Sequence, residues 1–435
     1  MSFCADLPPE PTMFVGRRAE LAKARALLSA NRLLTLTGPG GIGKTCLALR
    51  FTRQVRGTFR DGARLVEVAA VYDHRLLVRT VATALGLRDV GEDALDRVLE
   101  FLHDKSMLLV LDNCEHLGTA CGVLAARVLA EAPAVRVLAT SRHVLGVAGE
   151  QLLPVRSLPV PGPTETRQDA VTLFHHRAAL ADPDFVARRA EHDTVAGICR
   201  RLDGLPLAIE LAAAQVRRLS PEEILVRLDD RFELLAEGNS ESPSRQKTLT
   251  ATVEWSYDLC SPAEQRLWQR FSVFRGGFTL AAAESVGAEP ADRAGNFLGL
   301  VAGLVNKSIV TRDSGSRTVT RYHMLETIRE FGANELARSG TASEVHRRHR
   351  DHFLDQTARW AAAWAGPDQL DITARSLAEH ANILSALRFS LDDPQETLAG
   401  SRLAVGLDYY WTNCGFFGEA RWWMDRVLSV DGLPA

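Results

Sequence analysis

Short apolar runs and amphipathic stretches alternate over the first third of the chain. The runs "RLLTLTG", "ARLVEVAA", "MLLVLDN" and "VRVLATS" (32–38, 63–70, 107–113 and 135–141) are rich in leucine and β-branched residues and end in polar or turn residues. That length and composition predict buried strands. Between them, Arg75–Leu85 and Asp93–His103 carry apolar residues at helical spacing. Strands that are apolar on both faces, alternating with helices, predict a parallel sheet covered on both sides. The prolines of "LPVRSLPVPGPT" (Leu153–Thr164) end this pattern.

Beyond it the pattern is helical from Arg167 to Glu237, and Ser220-Pro221-Glu222-Glu223 reads as a capping box with proline at the first helical position. A polar linker, Ala236–Gln246, leads to a second capped helix at Ser261-Pro262-Ala263-Glu264, and further helices are predicted near Thr279–Val286 and Asn296–Asn306. Ser308–Thr311 and Thr318–Tyr322, separated by "RDSGSR", read as a hairpin, and helices followed by a hairpin predict a winged helix. From Val345 onward the pattern is helical in stretches Val345–Trp364, Ile372–Leu391, Glu396–Cys414 and Phe417–Leu428. These helix pairs suggest the start of a TPR-like repeat, short of the roughly three repeats a solenoid needs. Four units are expected: 1–162, 163–238, 239–340 and 341–435. The expected fold class is an α/β unit, a parallel sheet with helices on both faces, followed by α-helical, winged-helix and α-solenoid-like modules.

Composition narrows the picture only modestly. The chain has 435 residues, 46% hydrophobic and 24% charged, with a net charge of −3, which fits a globular protein of several domains and gives no global signal for nucleic acid or membrane. No apolar run reaches the roughly 18 residues that span a bilayer. The start "MSFCADLPPEPT" lacks the basic and apolar regions of a secretory signal, so a cytoplasmic location is expected. The seven cysteines are scattered and never spaced C-x-x-C, as expected of free thiols. Only five lysines occur, against a default of arginine, which makes Lys44 conspicuous.

Lys44 belongs to Gly38-Pro39-Gly40-Gly41-Ile42-Gly43-Lys44-Thr45, which fits G-x-x-x-x-G-K-[ST] between a predicted strand and a helical run. Glycines let consecutive amides face one anion, and the helix N-terminus adds partial positive charge. A lysine supplies a compact charge for the β- and γ-phosphates, and the Thr45 hydroxyl is a Mg²⁺ ligand candidate. The expected cofactors are ATP or ADP with Mg²⁺, bound through Gly38, Gly40, Gly41, Ile42, Gly43, Lys44, Thr45 and Cys46. Asp112, at the end of "MLLVLDN", is the second metal-ligand candidate. The next residue is Asn113, which cannot take a proton. Glu115 is the nearest candidate base, so hydrolysis is expected to be slow or absent. Arg142 ends a later strand, where a guanidinium can touch a γ-phosphate.

With these motifs in place the chain resembles STAND-class (NB-ARC-like) signalling ATPases, of the bacterial type found in large transcriptional regulators. Phe14-Val15-Gly16-Arg17-Arg18-Ala19-Glu20 is similar to that family's hhGRxxE opening, which implies that Val15 and Gly16 lie near adenine and makes Arg17 a further nucleotide-binding candidate. Leu108–Leu117 looks like its Walker B segment, Thr140–Arg142 like its sensor-arginine motif, and Gly204-Leu205-Pro206-Leu207-Ala208 like its GLPLA motif, which implies that Pro206 packs near the nucleotide. The family's M-H-D switch, whose histidine contacts the β-phosphate of ADP, aligns with Met324-Leu325-Glu326. Leucine replaces the histidine there, and His323 is the candidate substitute.

The resemblance implies an ADP/ATP-dependent switch that opens and forms a homo-oligomer on nucleotide exchange. It would respond to an unidentified ligand or protein at the C-terminal helices and act on transcription through a DNA-binding module not evident in this chain. No membrane partner is expected. Two other readings stay open: a scaffold that recruits an effector without touching DNA, and an ordinary turnover ATPase, against which Asn113 argues. "VHRRHRDHF" (345–353) spreads three histidines over too wide an arc for one metal and is expected to be a solvated basic helix start. The aromatic residues between Tyr409 and Trp423 are expected to form helical-repeat core.

Overall fold

A computed structural model describes residues 14–71, 73–87, 93–160, 168–185, 189–236, 244–289, 297–312 and 319–429. The N-terminal segment 1–13, the expected boundaries at 162 and 238, most of the linker and the hairpin turn 313–318 lie outside the described residues.

The first unit is the expected sheet. Helix α1 (Arg18–Ala30) leads into β1 (Leu33–Thr37), α2 (Lys44–Val55), β2 (Ala63–Glu67), α3 (His74–Ala84), α4 (Ala94–His103), β3 (Leu108–Asp112), α5 (Gly118–Glu131), β4 (Arg136–Ser141) and β5 (Glu150–Pro154). The strands are parallel in the order β2-β3-β4-β1-β5. Strand β5 corrects the expectation: Leu153 and Pro154 belong to a strand, not to a boundary loop. Proline is tolerated there because β5 is an edge strand.

Alternation along the strands divides the core. Leu34, Leu36, Leu108, Val110 and Leu138 face one buried cluster, and Leu33, Leu109, Leu111, Val137 and Ala139 the other. The central strands are apolar on both faces for this reason. The register pairs Thr37 with Ser141 and Glu67 with Asp112, so β1, β3 and β4 all finish on one edge of the sheet.

Helices follow: α6 (Asp169–Ala181), α7 (Arg189–Arg201), α8 (Pro206–Ala213), α9 (Pro221–Ala236) and α10 (Ser244–Asp258). The Ser220 box forms as expected, with the Glu223 N–H donating to Ser220 Oγ at 3.3 Å and the Ser220 N–H to Glu223 Oε2 at 2.8 Å. Next come α11 (Pro262–Phe271), capped reciprocally by Ser261 and Glu264, then β6 (Phe278–Thr279), α12 (Leu280–Gly287), α13 (Phe297–Asn306), β7 (Thr311–Arg312), β8 (Arg321–His323) and α14 (Glu326–Arg338). The expected hairpin is β7–β8. It gains a third antiparallel strand, β6, which pairs with β8 through Phe278 and Tyr322. Two residues of strand were too short to show a period in the sequence.

The chain ends in α15 (Ala342–Ala363), α16 (Gln369–Ala378), α17 (His380–Asp392), α18 (Thr397–Gly406), α19 (Asp408–Cys414) and α20 (Phe417–Leu428). Two expected single helices are each broken in two, at Glu379 and at Leu407, where the backbone leaves the helical region (φ −98°, ψ 4° and φ −94°, ψ 3°). The "VHRRHRDHF" expectation is overturned. His349 and Arg350 are buried on the inner face of α15, His349 against Phe274 and Phe353, and Arg350 paired to Glu396 at 2.8 Å. Burial pushes the His349 imidazole down to about 3, with neighbouring His346 adding to the effect. Tyr410, Trp411 and Trp423 are core residues, whereas Trp422 packs back onto the α3 side of the sheet.

Candidate functional site

Three glycines with positive φ, Gly38 (152°), Gly41 (68°) and Gly43 (90°), curl the loop from β1 into α2. The Lys44 ammonium lies inside the curl and donates to the Gly38 and Pro39 carbonyl oxygens at 2.8 and 3.2 Å. Burial lowers its pKa, against the pull of Glu115. Ile42 is fully buried, and Cys46 is exposed in the first turn of α2.

Asp112 and Thr45 meet as the two strand ends dictate. Thr45 Oγ1 donates to Asp112 Oδ1 and Oδ2 at 2.9 and 3.1 Å. Thr140, at the neighbouring strand end, donates to Asp112 Oδ1 at 2.6 Å and accepts from the Asn113 N–H at 2.8 Å. Burial raises the Asp112 pKa, opposed by the hydroxyls of Thr140 and Thr45. Asn113 takes a left-handed backbone (φ 63°), a conformation asparagine tolerates better than most residues. Beyond that twist, Glu115 reaches back: Oε1 lies 3.2 Å from Lys44 Nζ and Oε2 lies 2.6 Å from Arg142 Nε.

The remaining expected residues divide into two sets. Arg17 is buried with φ 63°, and its guanidinium donates to the Ile42 carbonyl at 2.7 Å and the Arg156 carbonyl at 2.5 Å, so it ties the loop to the irregular segment that follows β5. Val15 is half-buried beside it. A Cβ on Gly16 would lie 2.2 Å from Asp169 Oδ2, so α6 closes on this corner. Pro206 opens α8, but the residue of that motif against the loop is Leu207. Its N–H donates to the Gly41 carbonyl at 3.2 Å, and its side chain covers Gly41. His323 ends β8, with its imidazole packed against Gly277. Leu325 is the 46% exposed N-cap of α14.

Sequence reasoning missed the groups that close the site from above. A Cβ on Gly40 would lie 2.8 Å from Thr327 Oγ1. Glu330 Oε2 sits 3.0 Å from Arg142 Nη2, across 188 residues of chain. Helix α14 is anchored from behind, where Trp268 Nε1 donates to the Ile328 carbonyl at 3.0 Å and Arg329 donates to the Ser272 carbonyl at 3.1 Å. Glu326 turns from the loop towards Arg329 and Arg275. Burial opposes its charge, but Arg329 and Arg275 hold its carboxyl below the usual range. No local signal marks Thr327 or Glu330, because a helical polar residue reads as surface until its partner is known.

The donor set fits a nucleotide with Mg²⁺. The loop has a backbone cradle and an inward ammonium, and Asp112 with Thr45 offers adjacent hard oxygens. Among the described residues no three His, Cys, Asp or Glu side chains cluster as a metal site. A cation here would therefore rest on Asp112, Thr45 and phosphate oxygens. Bound there, it would neutralise phosphate charge and favour the ionised Asp112.

Residues 26–146 match the family described as an AAA domain. A Mycobacterium tuberculosis protein named as an HTH-type transcriptional regulator is 39% identical over 406 residues, which is 93% of this chain and 45% of its own length. A shorter, uncharacterized Mycobacterium bovis protein is 42% identical over 344 residues, 79% of this chain and 86% of its own. A signal transduction ATPase with numerous domains (STAND) from Pyrococcus horikoshii, bearing a tetratricopeptide repeat sensor, shares the fold. It has a TM-score of 0.53 and 16% identity, over 98% of this chain and 60% of its own. The chain belongs to the same family as the Mycobacterium bovis protein, and its first unit is an AAA-type P-loop domain. The chain spans less than half the length of the mycobacterial regulator it matches. Among its described residues no helix is long and apolar enough to cross a membrane.

Proposed function

We propose that the chain is a nucleotide-controlled switch, the regulatory ATPase part of a transcriptional regulator acting in the cytoplasm. ADP with α14 seated on the P-loop is the closed state. Exchange for ATP with Mg²⁺ lifts the winged-helix unit (239–340) and allows a homo-oligomer to form. The trigger is a ligand or protein sensed on the TPR-like C-terminal helices, and DNA is contacted by a module other than these. The carrying observation is the closure itself: Thr327 stands over Gly40, and Glu330 holds Arg142 from a helix far along the chain. A phosphate-binding loop that carries a lid from another module has a way to couple nucleotide state to shape.

Within this reading, Lys44 and the loop amides bind the β-phosphate, Val15, Gly16 and Cys46 border the nucleotide, and Asp112 and Thr45 hold the cation. Arg142 faces the terminal phosphate. Glu115 is the nearest candidate base, yet both its oxygens are engaged by cations. A carboxylate with both oxygens so engaged has none turned to an attacking water, so turnover is slow. The test is to identify the nucleotide that co-purifies and then follow turnover and mass with Mg²⁺. The reading predicts bound ADP, turnover far below the enzyme median of about 10 s⁻¹, and a larger species with a non-hydrolysable ATP analogue. Empty protein, or rapid turnover of a constant monomer, would overturn it.

A further inference from the structure

The four charged groups over the loop form a chain of alternating sign. Lys44 Nζ is 3.2 Å from Glu115 Oε1, Glu115 Oε2 is 2.6 Å from Arg142 Nε, and Arg142 Nη2 is 3.0 Å from Glu330 Oε2. Both cations available to a terminal phosphoryl group are thus held by carboxylates in this closed arrangement. Glu115 lies in the same loop as the Walker B aspartate and moves with the ATPase unit. Glu330 comes from α14, so only its contact can differ between closed and open forms.

We infer that Glu330 is a carboxylate stand-in for the γ-phosphate, and the residue by which α14 discriminates diphosphate from triphosphate. The inference rests on the switch reading and gives it a residue. Leu325, at the family's switch position, has neither charge nor donor. Glu330 lies five residues further along, on the face of α14 that meets Arg142. A diphosphate ends short of Arg142 and leaves the Glu330 pair intact. A triphosphate brings further negative charge to the same guanidinium, where it meets two carboxylates. Like charges at that range repel, and Arg142 satisfies the phosphate only if Glu330 leaves. Helix α14 is fixed by Trp268 and Arg329 behind it, and Thr327 stands against Gly40, so expulsion of Glu330 is transmitted to the module. The pair is partly exposed, so its effect is modest. Only its difference between the two nucleotides shifts the equilibrium.

The experiment is calorimetric titration of the full chain with ADP–Mg²⁺ and with a non-hydrolysable ATP analogue. Glu330→Gln keeps the shape and an acceptor oxygen but removes the charge. It should tighten the analogue by about two- to fivefold, the size of a partly exposed ion pair, while ADP affinity changes by less than about twofold. Glu330→Asp, which keeps the charge, should stay closer to the wild-type ratio than Glu330→Gln. In an Arg142→Gln background, Glu330→Gln should no longer move the ratio, because the group it competes for has gone. Equal shifts for both nucleotides, no shift, or a shift that persists without Arg142 would overturn the inference while leaving the switch reading intact. Wild-type protein that binds neither nucleotide would sink the switch reading and this inference with it.

Discussion

The site has two walls of unlike construction. The lower wall is the edge of the parallel sheet, where β1, β3 and β4 end side by side and deliver Lys44, Asp112 and Arg142 to one place. Its groups are fixed by backbone register, by glycine conformation and by short contacts such as Thr45 to Asp112. The upper wall is the first turns of α14. It is held by Trp268 and Arg329 to another module, and it meets the site through the Thr327 and Glu330 side chains. A wall built from sheet register cannot move without unfolding. A wall that touches through a hydroxyl and one partly exposed ion pair can part at small cost. That asymmetry is what a switch needs: a constant binding surface under a removable lid.

The largest expected effect breaks the lower wall. Lys44→Ala removes the ammonium inside the curl and leaves the Gly38 and Pro39 carbonyls without their donor. ATP and ADP affinity should both fall by more than about a hundredfold, since several charge-assisted bonds are lost at once. Titration calorimetry showing equal affinity for wild type and variant would remove the loop from the site.

Next in size is the support of the upper wall. Trp268 is fully buried, meets Tyr257 edge-on and Phe331 at a tilt, and donates to the Ile328 carbonyl. Trp268→Ala should cost about 3–5 kcal/mol of stability in the module that holds α14. In chemical denaturation this should appear as an early transition, with the sheet unit melting as before. A single unshifted transition would mean that α14 is held by something other than this tryptophan.

The same contrast explains what could be read without coordinates. The loop, Asp112 and Arg142 each sit at the end of a strand with a strong local pattern, so spacing alone places them on one edge. Glu330 and Thr327 owe their place to contacts with Arg142 and Gly40, far away in the chain, and nothing in "ETIREFGANELAR" marks them. Pro206 was the conspicuous residue of its motif, yet Leu207 covers Gly41 because a helix's first apolar side chain, not its capping proline, faces the neighbour. "VHRRHRDHF" misled for a related reason. Its charges suggest solvent, but His349 and Arg350 face a module whose partner surface, Phe274 and Glu396, lies elsewhere in the sequence.

That buried histidine gives a pH prediction one layer behind the lid. The unfolded chain binds a proton at His349 near the ordinary 6.5, whereas the folded chain does so only near 3. The unfolded state therefore holds more protons between these values. Stability is complete above about pH 6.5 and falls by up to about 1.4 kcal/mol per pH unit below it. The groups facing His349 are His346, His352, Arg275 and Asn382; only the Asn382 hydrogen bond favours the charged form. His349→Phe, set among Phe274 and Phe353, should flatten the loss between pH 6.5 and 3. Denaturation midpoints that fall equally with pH in both proteins would place the acid sensitivity elsewhere.

The smallest effect tests the point where the walls touch. The Gly40 backbone is not left-handed, so alanine fits its conformation and keeps the loop's N–H groups. Its methyl would nevertheless stand 2.8 Å from Thr327 Oγ1, closer than carbon and oxygen can approach. Gly40→Ala should therefore leave the lower wall able to bind while pushing α14 away, at about 1 kcal/mol, the low end of overpacking costs. The ratio of affinity for a non-hydrolysable ATP analogue to affinity for ADP should rise by about fivefold, because only the closed state has the clash. Thr327→Ala removes the offending hydroxyl, so the double variant should recover most of the wild-type ratio. Recovery ties the cost to the lid, because a loop distorted by the new methyl would bind both nucleotides poorly whatever residue stood at 327.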